Sequence, residues 1–489
     1  MKLLLSVHLP LLPLEALRPN WSEPGPFVII DQGRVLAMSA EATQCGLRLN
    51  MRRDSVLTIV PETIVLERSQ EKEKQTLEAI STALMQFTPE VTFQEDFSIL
   101  LDVSASLTLF NGPHALCTRV TKTLRSLGVT SQIGTAPTAG GAWLLARSKR
   151  QEGFTFRRRT LSMRVLQYRL SLLPCDLLPK AIPYRNWLND IGAHQIGALR
   201  RLPRAGLLRR TSKELICELD RAYGEETEIF EWIKPPLQFS ARVELYDRVE
   251  HTGALLQSGT SLITQLIGWL RSFQRAIRAY TFFLEHERGR LAIAPTEIEI
   301  VLAEPAWEDS HLIRLLKERL PKIQLTAPVI ALRLEVAVTE AASPINDSLF
   351  PEPGGSLEDY HRLLELLTAR LGTENVLIPS NVEDYRPEVY NAWVSATTRP
   401  PKACTKPAIN SRPFFLLPKP IALLMRDERP FYGSPLKIIR GPERIEAGWW
   451  DEQSAARDYF IAQANDGSCY WIYLERSNDA RWFLHGLYA

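Results

Sequence analysis

The chain has 489 residues, is 45% hydrophobic and 23% charged, and carries a formal net charge of +2. At about 100–200 residues per domain this is material for several packed cores, and the near-neutral balance excludes a histone-like polycation or an acidic tail protein. The six cysteines, at 45, 117, 175, 217, 404 and 469, form no C-x-x-C pair; zinc-finger and small disulfide frameworks are excluded, and a reduced, cytoplasmic compartment is expected.

The N-terminal apolar run is interrupted by Pro10, Pro13 and Glu15, so neither a secretion signal nor a membrane span is expected. Residues 3–9 (LLLSVHL) and 27–31 (FVIID) read as buried strands. Residues 70–87 read as a helix, because Leu77, Ile80, Ala83 and Leu84 recur at spacings of three and four. A strand over 97–106, a helix over 112–127, a strand over 129–136 and a helix opening at 140 continue an α+β or α/β alternation through the first 165 residues or so. Residues 184–224 read as several short helices broken at Gly192, Pro203 and Gly206. Over 238–340 four strand-like runs alternate with helical segments at 254–276 and 308–320, the pattern of one sheet against two helices. From 341 the chain becomes proline-rich around one amphipathic helix, 356–371, and most of this stretch reads as linker. The last 78 residues hold 14 of the 42 aromatics, including Trp449, Trp450, Trp471 and Trp482, and predict a compact β-rich terminal domain.

Charge is unevenly spread. Residues 147–213 hold 16 basic side chains against Glu152, Asp176 and Asp190, a local balance of +13, while the segments before and after carry −2 and −9. Among the basic residues are Arg157, Arg158, Arg159, Arg200, Arg201, Arg204, Arg209 and Arg210. Each phosphate that such a surface neutralises releases counterions, so nucleic-acid contact is expected here. The alternative is a solvated face with local ion pairs. The histidines are scattered with no H-x-x-x-H pair, and neither a P-loop nor a G-x-G-x-x-G occurs. Metal ligation, nucleotide hydrolysis by the chain itself and a bound cofactor are therefore not expected.

Three stretches carry a family resemblance: GTAPTAGGAWLLAR (134–147), the helix-hairpin-helix-like run ending LPRAGLLRR (202–210), and the terminal GPERIEAGWWDE…RDYF…WFLHGLYA (441–488). Together with the order of the elements, they resemble the DinB-like Y-family DNA polymerases. Within these they resemble the ImuB group, the catalytically inactive polymerase-like subunits of the bacterial mutasome. The resemblance implies an α+β multi-domain fold, with palm and fingers in 1–165, thumb in 166–235, little finger in 236–341, a linker in 342–411 and a β-rich partner-binding region in 412–489. Y-family enzymes hold two Mg²⁺ ions on carboxylates from a D-x-D-like strand and an S-x-D-E motif. Here Ser6 stands at the leading Asp position, nine residues before Glu15, and Phe97 and Ser98 stand where Asp-Glu belongs, counted from Leu101-Asp102-Val103. The triphosphate contacts are replaced as well: Ala40-Glu41-Ala42-Thr43 stands in place of Y-x-x-R, and Ala139 and Trp143 in place of two lysines.

The resemblance thus implies a protein that grips primer-template DNA without catalysis, its thumb using the arginines above and a hairpin glycine, Gly206, that lets backbone N–H groups approach a phosphate. Asn346-Asp347-Ser348-Leu349-Phe350 resembles the peptide by which bacterial polymerases hold the sliding clamp; Leu349 and Phe350 would fill an apolar pocket, with Asn346 and Ser348 beside them. The remaining partners implied are the RecA-like ImuA and an error-prone DnaE-type polymerase, at the nucleoid. The alternative is an active translesion polymerase with displaced carboxylates, Glu95, Asp96 and Asp102. Two further alternatives are a binder of branched DNA without a polymerase partner and a protein scaffold that never touches DNA.

Overall fold

The structure, a computed structural model, describes residues 2–148, 158–287, 293–342, 357–382, 384–396, 412–413, 415–450, 454–476 and 480–488. The chain divides into two compact units, Met1–Gly354 and Gly355–Ala489. Arg157 and the clamp-type motif Asn346, Ser348, Leu349 and Phe350 lie outside the described residues.

The first unit begins with β1 (Leu4–His8) and a helical turn α1 (Leu12–Glu15). A small sheet follows, with β2 (Phe27–Asp31), β3 (Arg34–Met38), helices α2 (Ala40–Gln44) and α3 (Arg53–Ile59), and β4 (Ile64–Glu67) in the order β3-β2-β4. Then come α4 (Gln70–Leu84), β5 (Val91–Gln94), β6 (Ser98–Asp102), α5 (Pro113–Ser126), β7 (Gln132–Ala136) and α6 (Ala139–Arg147). β1 lies inside the antiparallel sheet β5-β6-β1-β7, which is why LLSVH is buried at every position, its polar Ser6 and His8 included. Alternation along the strand gives its faces different jobs. Leu5, Val7 and Leu9 join Ile80 and Leu84 of α4 and Leu116, Val120 and Leu124 of α5 in one core. The opposite face presents Leu4, Ser6 and His8, and Leu4 clusters with Leu100 and Ala139. α6 lies so close to β7 that a Cβ at Gly134 would fall 2.2 Å from the Ala142 carbonyl oxygen; no larger residue fits there.

A layer of short helices comes next: α7 (Met163–Leu172), α8 (Arg185–Asp190), α9 (Ile196–Arg201), α10 (Arg204–Arg210) and α11 (Lys213–Tyr223). Their core of Leu166, Leu170, Leu199, Leu207, Leu215 and Leu219 runs on into Trp143 and Leu144 of α6. The expected breaks at Gly192 and Pro203 occur, and Gly192 takes the left-handed conformation. Gly206 does not break the chain. It sits inside α10, and the chain turns instead at Thr211–Ser212, where Ser212 caps α11 through the Leu215 amide. Leu207 between Gly206 and Leu208 packs into the core and holds the helix down, outweighing the low helix propensity of one glycine.

The last part of the unit carries β8 (Ser240–Val249), α12 (Leu255–Ser272), β9 (Arg275–His286), β10 (Thr296–Ala306), α13 (Asp309–Arg319), β11 (Val329–Glu335) and β12 (Thr339–Ala341). The antiparallel order is β10-β9-β11-β8, with β12 also on β9. This is the expected sheet against two helices. α12 is buried almost all round, including Leu262, Ile263, Leu266, Ile267 and Leu270, because it packs on its own sheet and, on its other side, on α4 and α5. A helix apolar on every side is the sequence mark of such a sandwiched position.

The second unit opens with α14 (Leu357–Leu371) and an antiparallel pair, β13 (Leu377–Asn381) and β14 (Asn391–Ser395). The stretch read as linker around one helix therefore also holds a strand pair; its prolines and short length hid the alternation. The remaining strands are β15 (Phe415–Ala422), β16 (Leu424–Arg426), β17 (Arg429–Tyr432), β18 (Ser434–Pro435), β19 (Lys437–Ala447), β20 (Ala455–Gln463), β21 (Cys469–Glu475) and β22 (Trp482–Leu487). They form a five-stranded sheet, β15-β22-β21-β20-β19, and a three-stranded one, β16-β17-β18. The β-rich terminal region is as expected. Tyr459 stacks on Trp471 with ring centroids 4.0 Å apart, and both are buried, whereas Trp449 (81% exposed) and Trp450 (58% exposed) stand in solvent.

Candidate functional site: the sheet face around Ser6 and the arginine layer

Ser6, His8 and Ser98 share one face of the central sheet. β1 pairs with β6 so that His8 faces Ser98 and Ser6 faces Leu100. Ser6 is fully buried and donates to the Gln94 Oε1 at 2.8 Å. His8 Nδ1 lies 2.9 Å from the Asp96 carbonyl oxygen and 3.2 Å from Ser98 Oγ; since a carbonyl only accepts, Nδ1 carries the proton. Burial holds His8 below the usual imidazole range, and the Arg147 and Arg158 charges add to this against the pull of Asp96. Trp143, which stands in place of one of the two lysines that the resemblance implies, swings its indole over this face. Its Nε1–H donates to the Glu95 carbonyl at 3.1 Å and to Ser98 Oγ at 3.2 Å. Ser6, Ser98, the Trp143 indole and Nδ1 of His8 thus each have a partner from the chain itself. A buried serine hydroxyl satisfied by an amide oxygen is a structural contact and supplies no negative charge to a cation.

Of the displaced carboxylates of the alternative reading, Asp96 and Asp102 are engaged elsewhere. Asp96 and Phe97 occupy the β5–β6 turn with φ of 56° and 49°, so neither lies in the strand. The Phe97 side chain packs against the core on the other side of the sheet, together with Leu77. Asp96 pairs with Arg147 at 2.6 Å, and the same guanidinium donates to the Leu177 carbonyl and stacks 4.3 Å above Trp143. Asp102 accepts from the amide and hydroxyl of Ser104. Glu218 of α11 faces this corner. Burial, with a smaller contribution from Glu95, pushes its carboxyl up to about 7. Among the described residues no group of three or more His, Cys, Asp or Glu side chains could hold a metal ion.

At the other end of the face, Glu228 accepts from the Ala139 amide at 3.1 Å, at the first turn of α6. Phe230 packs against Leu4, Leu100 and Ala139. Neither residue was singled out from sequence. A Glu and a Phe in a connector carry no periodic signal, and the only clue was their position after the left-handed Gly224 that ends α11.

The arginines of the helical layer divide into two groups. Arg200 pairs with Glu225 and lies 3.9 Å over Tyr223, and Arg204 pairs with Asp220. Charge counted over 147–213 missed these pairs because Asp220 and Glu225 lie just beyond that window, one turn or one loop further on. Arg185 is likewise held by Asp176 at 2.8 Å. Arg158 donates to the Ser148 carbonyl, while Arg159 is exposed and its carbonyl accepts from Arg169. Arg201, Arg209 and Arg210 are exposed and make no ion pair among the described residues. Arg201 bonds the Gly197 carbonyl, and Arg210 lies 6.0 Å from the Trp187 ring. A Cβ at Gly206 meets nothing within 4 Å, so the surface between these arginines is open, although Gly206 is a helical residue and not the turn residue expected.

Comparison with known proteins bears out the resemblance read from the sequence. A family model described as the impB/mucB/samB family matches residues 14–147. The chain is similar to Protein ImuB of Caulobacter vibrioides, 24% identical over 471 residues that cover 91% of this chain and 100% of that protein. Among solved structures, a ternary complex of Dbh aligns over 68% of this chain and 98% of its own at 16% identity and a TM-score of 0.38. DinB from Sulfolobus solfataricus aligns over 70% and 100% at 16% identity and a TM-score of 0.38. The fold is α+β, with β-rich sheets at its C-terminal end. Among the described residues no helix is long and apolar enough to cross a membrane.

Proposed function

We propose that the chain is a non-catalytic adaptor of translesion synthesis, which holds primer-template DNA and the sliding clamp and brings ImuA and an error-prone DnaE-type polymerase to them. In this reading 1–165 is palm and fingers, 166–235 thumb, 236–341 little finger, 342–411 a segment carrying the clamp motif, and 412–489 the partner-binding region. One observation carries it. The face where a polymerase would assemble metal-binding carboxylates is built from Ser6, His8, Ser98 and Trp143, closed on one another and on Gln94 by hydrogen bonds. Two-metal chemistry needs fixed negative charge at that face, and a neutral, self-satisfied network leaves DNA holding as the task the fold can perform. The exposed arginines Arg201, Arg209 and Arg210 supply sequence-independent phosphate contacts, and Trp449 and Trp450 offer aromatic anchors to a protein partner. Modest contacts joined in one chain raise each other's effective concentration, which suits an assembly platform.

The clamp arm of the reading is tested with purified clamp. Leu349→Ala/Phe350→Ala is expected to lower clamp affinity at least about tenfold, as removal of two apolar anchors does, while binding to primer-template without clamp stays unchanged. Equal clamp affinity in the double variant would remove the clamp from the proposal.

A further inference from the structure

The sixteen residues between α11, which ends at Tyr223, and β8, which begins at Ser240, would as a free tether span about 20–24 Å root-mean-square and leave the two layers they join loosely related. They are not free. Glu228 accepts from the Ala139 amide, and burial raises its carboxyl while that hydrogen bond opposes the rise. Phe230 fills the space over Leu4, Leu100 and Ala139. The Ile233 amide donates to the Val91 carbonyl at 2.8 Å, on the outer strand β5, and its side chain joins the core of the central sheet. Further along, the Pro236 carbonyl accepts from Trp269 Nε1 at 2.7 Å, and Phe239 packs on the same indole at 5.6 Å. Trp269 belongs to α12, whose neighbouring Gly268 touches the backbone of α4 at Thr82 and Ala83. Connector and helix therefore return to the same sheet-and-helix body from two sides. Lys72–Glu244 at 3.0 Å and Arg18 lying between the Phe27 and Tyr246 rings add contacts between the same two layers.

We infer that the connector Gly224–Phe239 is a latch: Glu228, Phe230 and Ile233 fasten it across the central sheet and hold the 240–341 layer in one position, with or without DNA. Buried area fixes the position at each anchor, and the Glu228 carboxylate adds a charge-assisted bond to an amide at a helix start. The latch makes the first unit a preset cradle, not one that closes on its ligand, and its DNA arm alone rests on the DNA-holding function proposed above.

Hydrogen exchange on the full chain, with and without primer-template, tests this. The amides of Ala139, Gly140 and Ile233 are expected to be protected in the free protein and to keep that protection when DNA is added. Phe230→Ala is expected to raise their exchange at least tenfold and to weaken DNA binding several-fold. Glu228→Gln, which keeps the shape and removes the charge, is expected to raise exchange at Ala139 and Gly140, and it decides the matter should Phe230→Ala not fold. Fast exchange in the unaltered chain, release of these amides on DNA addition, or unchanged protection in Glu228→Gln would each overturn the latch. A chain that binds no DNA would sink the adaptor reading, yet exchange in the free protein would still judge the latch.

Discussion

Gly268→Leu is expected to unseat the 240–341 layer from the central sheet and cost the first unit at least about 3 kcal/mol, more than ordinary overpacking. A Cβ at this position would lie 1.9 Å from the Thr82 carbonyl oxygen and 2.7 Å from the Ala83 Cα. Both are backbone atoms of α4, so no rotamer change relieves the clash and the two helices must part. Even Gly268→Ala is expected to destabilise by roughly 1–3 kcal/mol, although alanine is the better helix former by about 1 kcal/mol. Gly259 in the same helix is the internal control. Its Cβ would meet the Leu316 Cδ2 at 2.6 Å, the movable end of a side chain, with nothing else closer than 3.8 Å. Gly259→Ala is expected to be near neutral. Denaturant midpoints of the three variants measure this, and equal midpoints for the two alanine variants would refute the tight crossing.

The second large effect is electrostatic. Arg201→Glu/Arg209→Glu/Arg210→Glu is expected to weaken primer-template binding roughly 10- to 100-fold and, for three lost phosphate contacts, to flatten the slope of log affinity against log salt by about 2.7. These three are chosen because they are exposed and make no ion pair among the described residues. Arg200 and Arg204 are poorer probes. Reversing either sets two carboxylates side by side, at Glu225 or Asp220, so a loss of binding would mix contact with misfolding. Titration by fluorescence anisotropy at several salt concentrations separates the cases, because a folding defect lowers the competent fraction without changing the slope. An unchanged affinity and slope would move the DNA contact away from these three arginines, and no measurable binding by the unaltered chain would favour a protein scaffold that never touches DNA.

Much of the fold could be read from local pattern. LLSVH at 4–8 is mostly apolar and short because β1 is covered on both faces, and Thr138 before α6 and Ser69 before α4 cap their helices as such residues do. The buried character of α12 is visible in its composition, although not what lies on its second face. What escaped was set by distance in the chain. The strand pair 377–381 and 391–395 is short and proline-bearing, so its alternation was too brief to register. Gly206 resembled a break because glycine usually marks one, yet Leu207 beside it is buried and keeps the helix down. The arginine pairs depended on acids one helix further on. Of the candidate site, Ser6, Phe97 and Ser98 could be singled out by counting from Glu15 and Leu101, as the positions at which the resemblance expects carboxylates. The partners that satisfy those serines, Gln94 and Trp143, come from 88 and 45 residues away and needed the fold to be seen.

Primer extension with the full purified chain, on a primer-template to which its binding has been shown, first with Mg²⁺ and then with Mn²⁺, tests most directly the proposal that the chain holds DNA without chemistry. The expected result is no template-dependent extension with either ion while the DNA remains bound. Extension that persists through purification and is lost in Asp96→Ala would contradict the account and make the carboxylate now paired with Arg147 part of a working metal site.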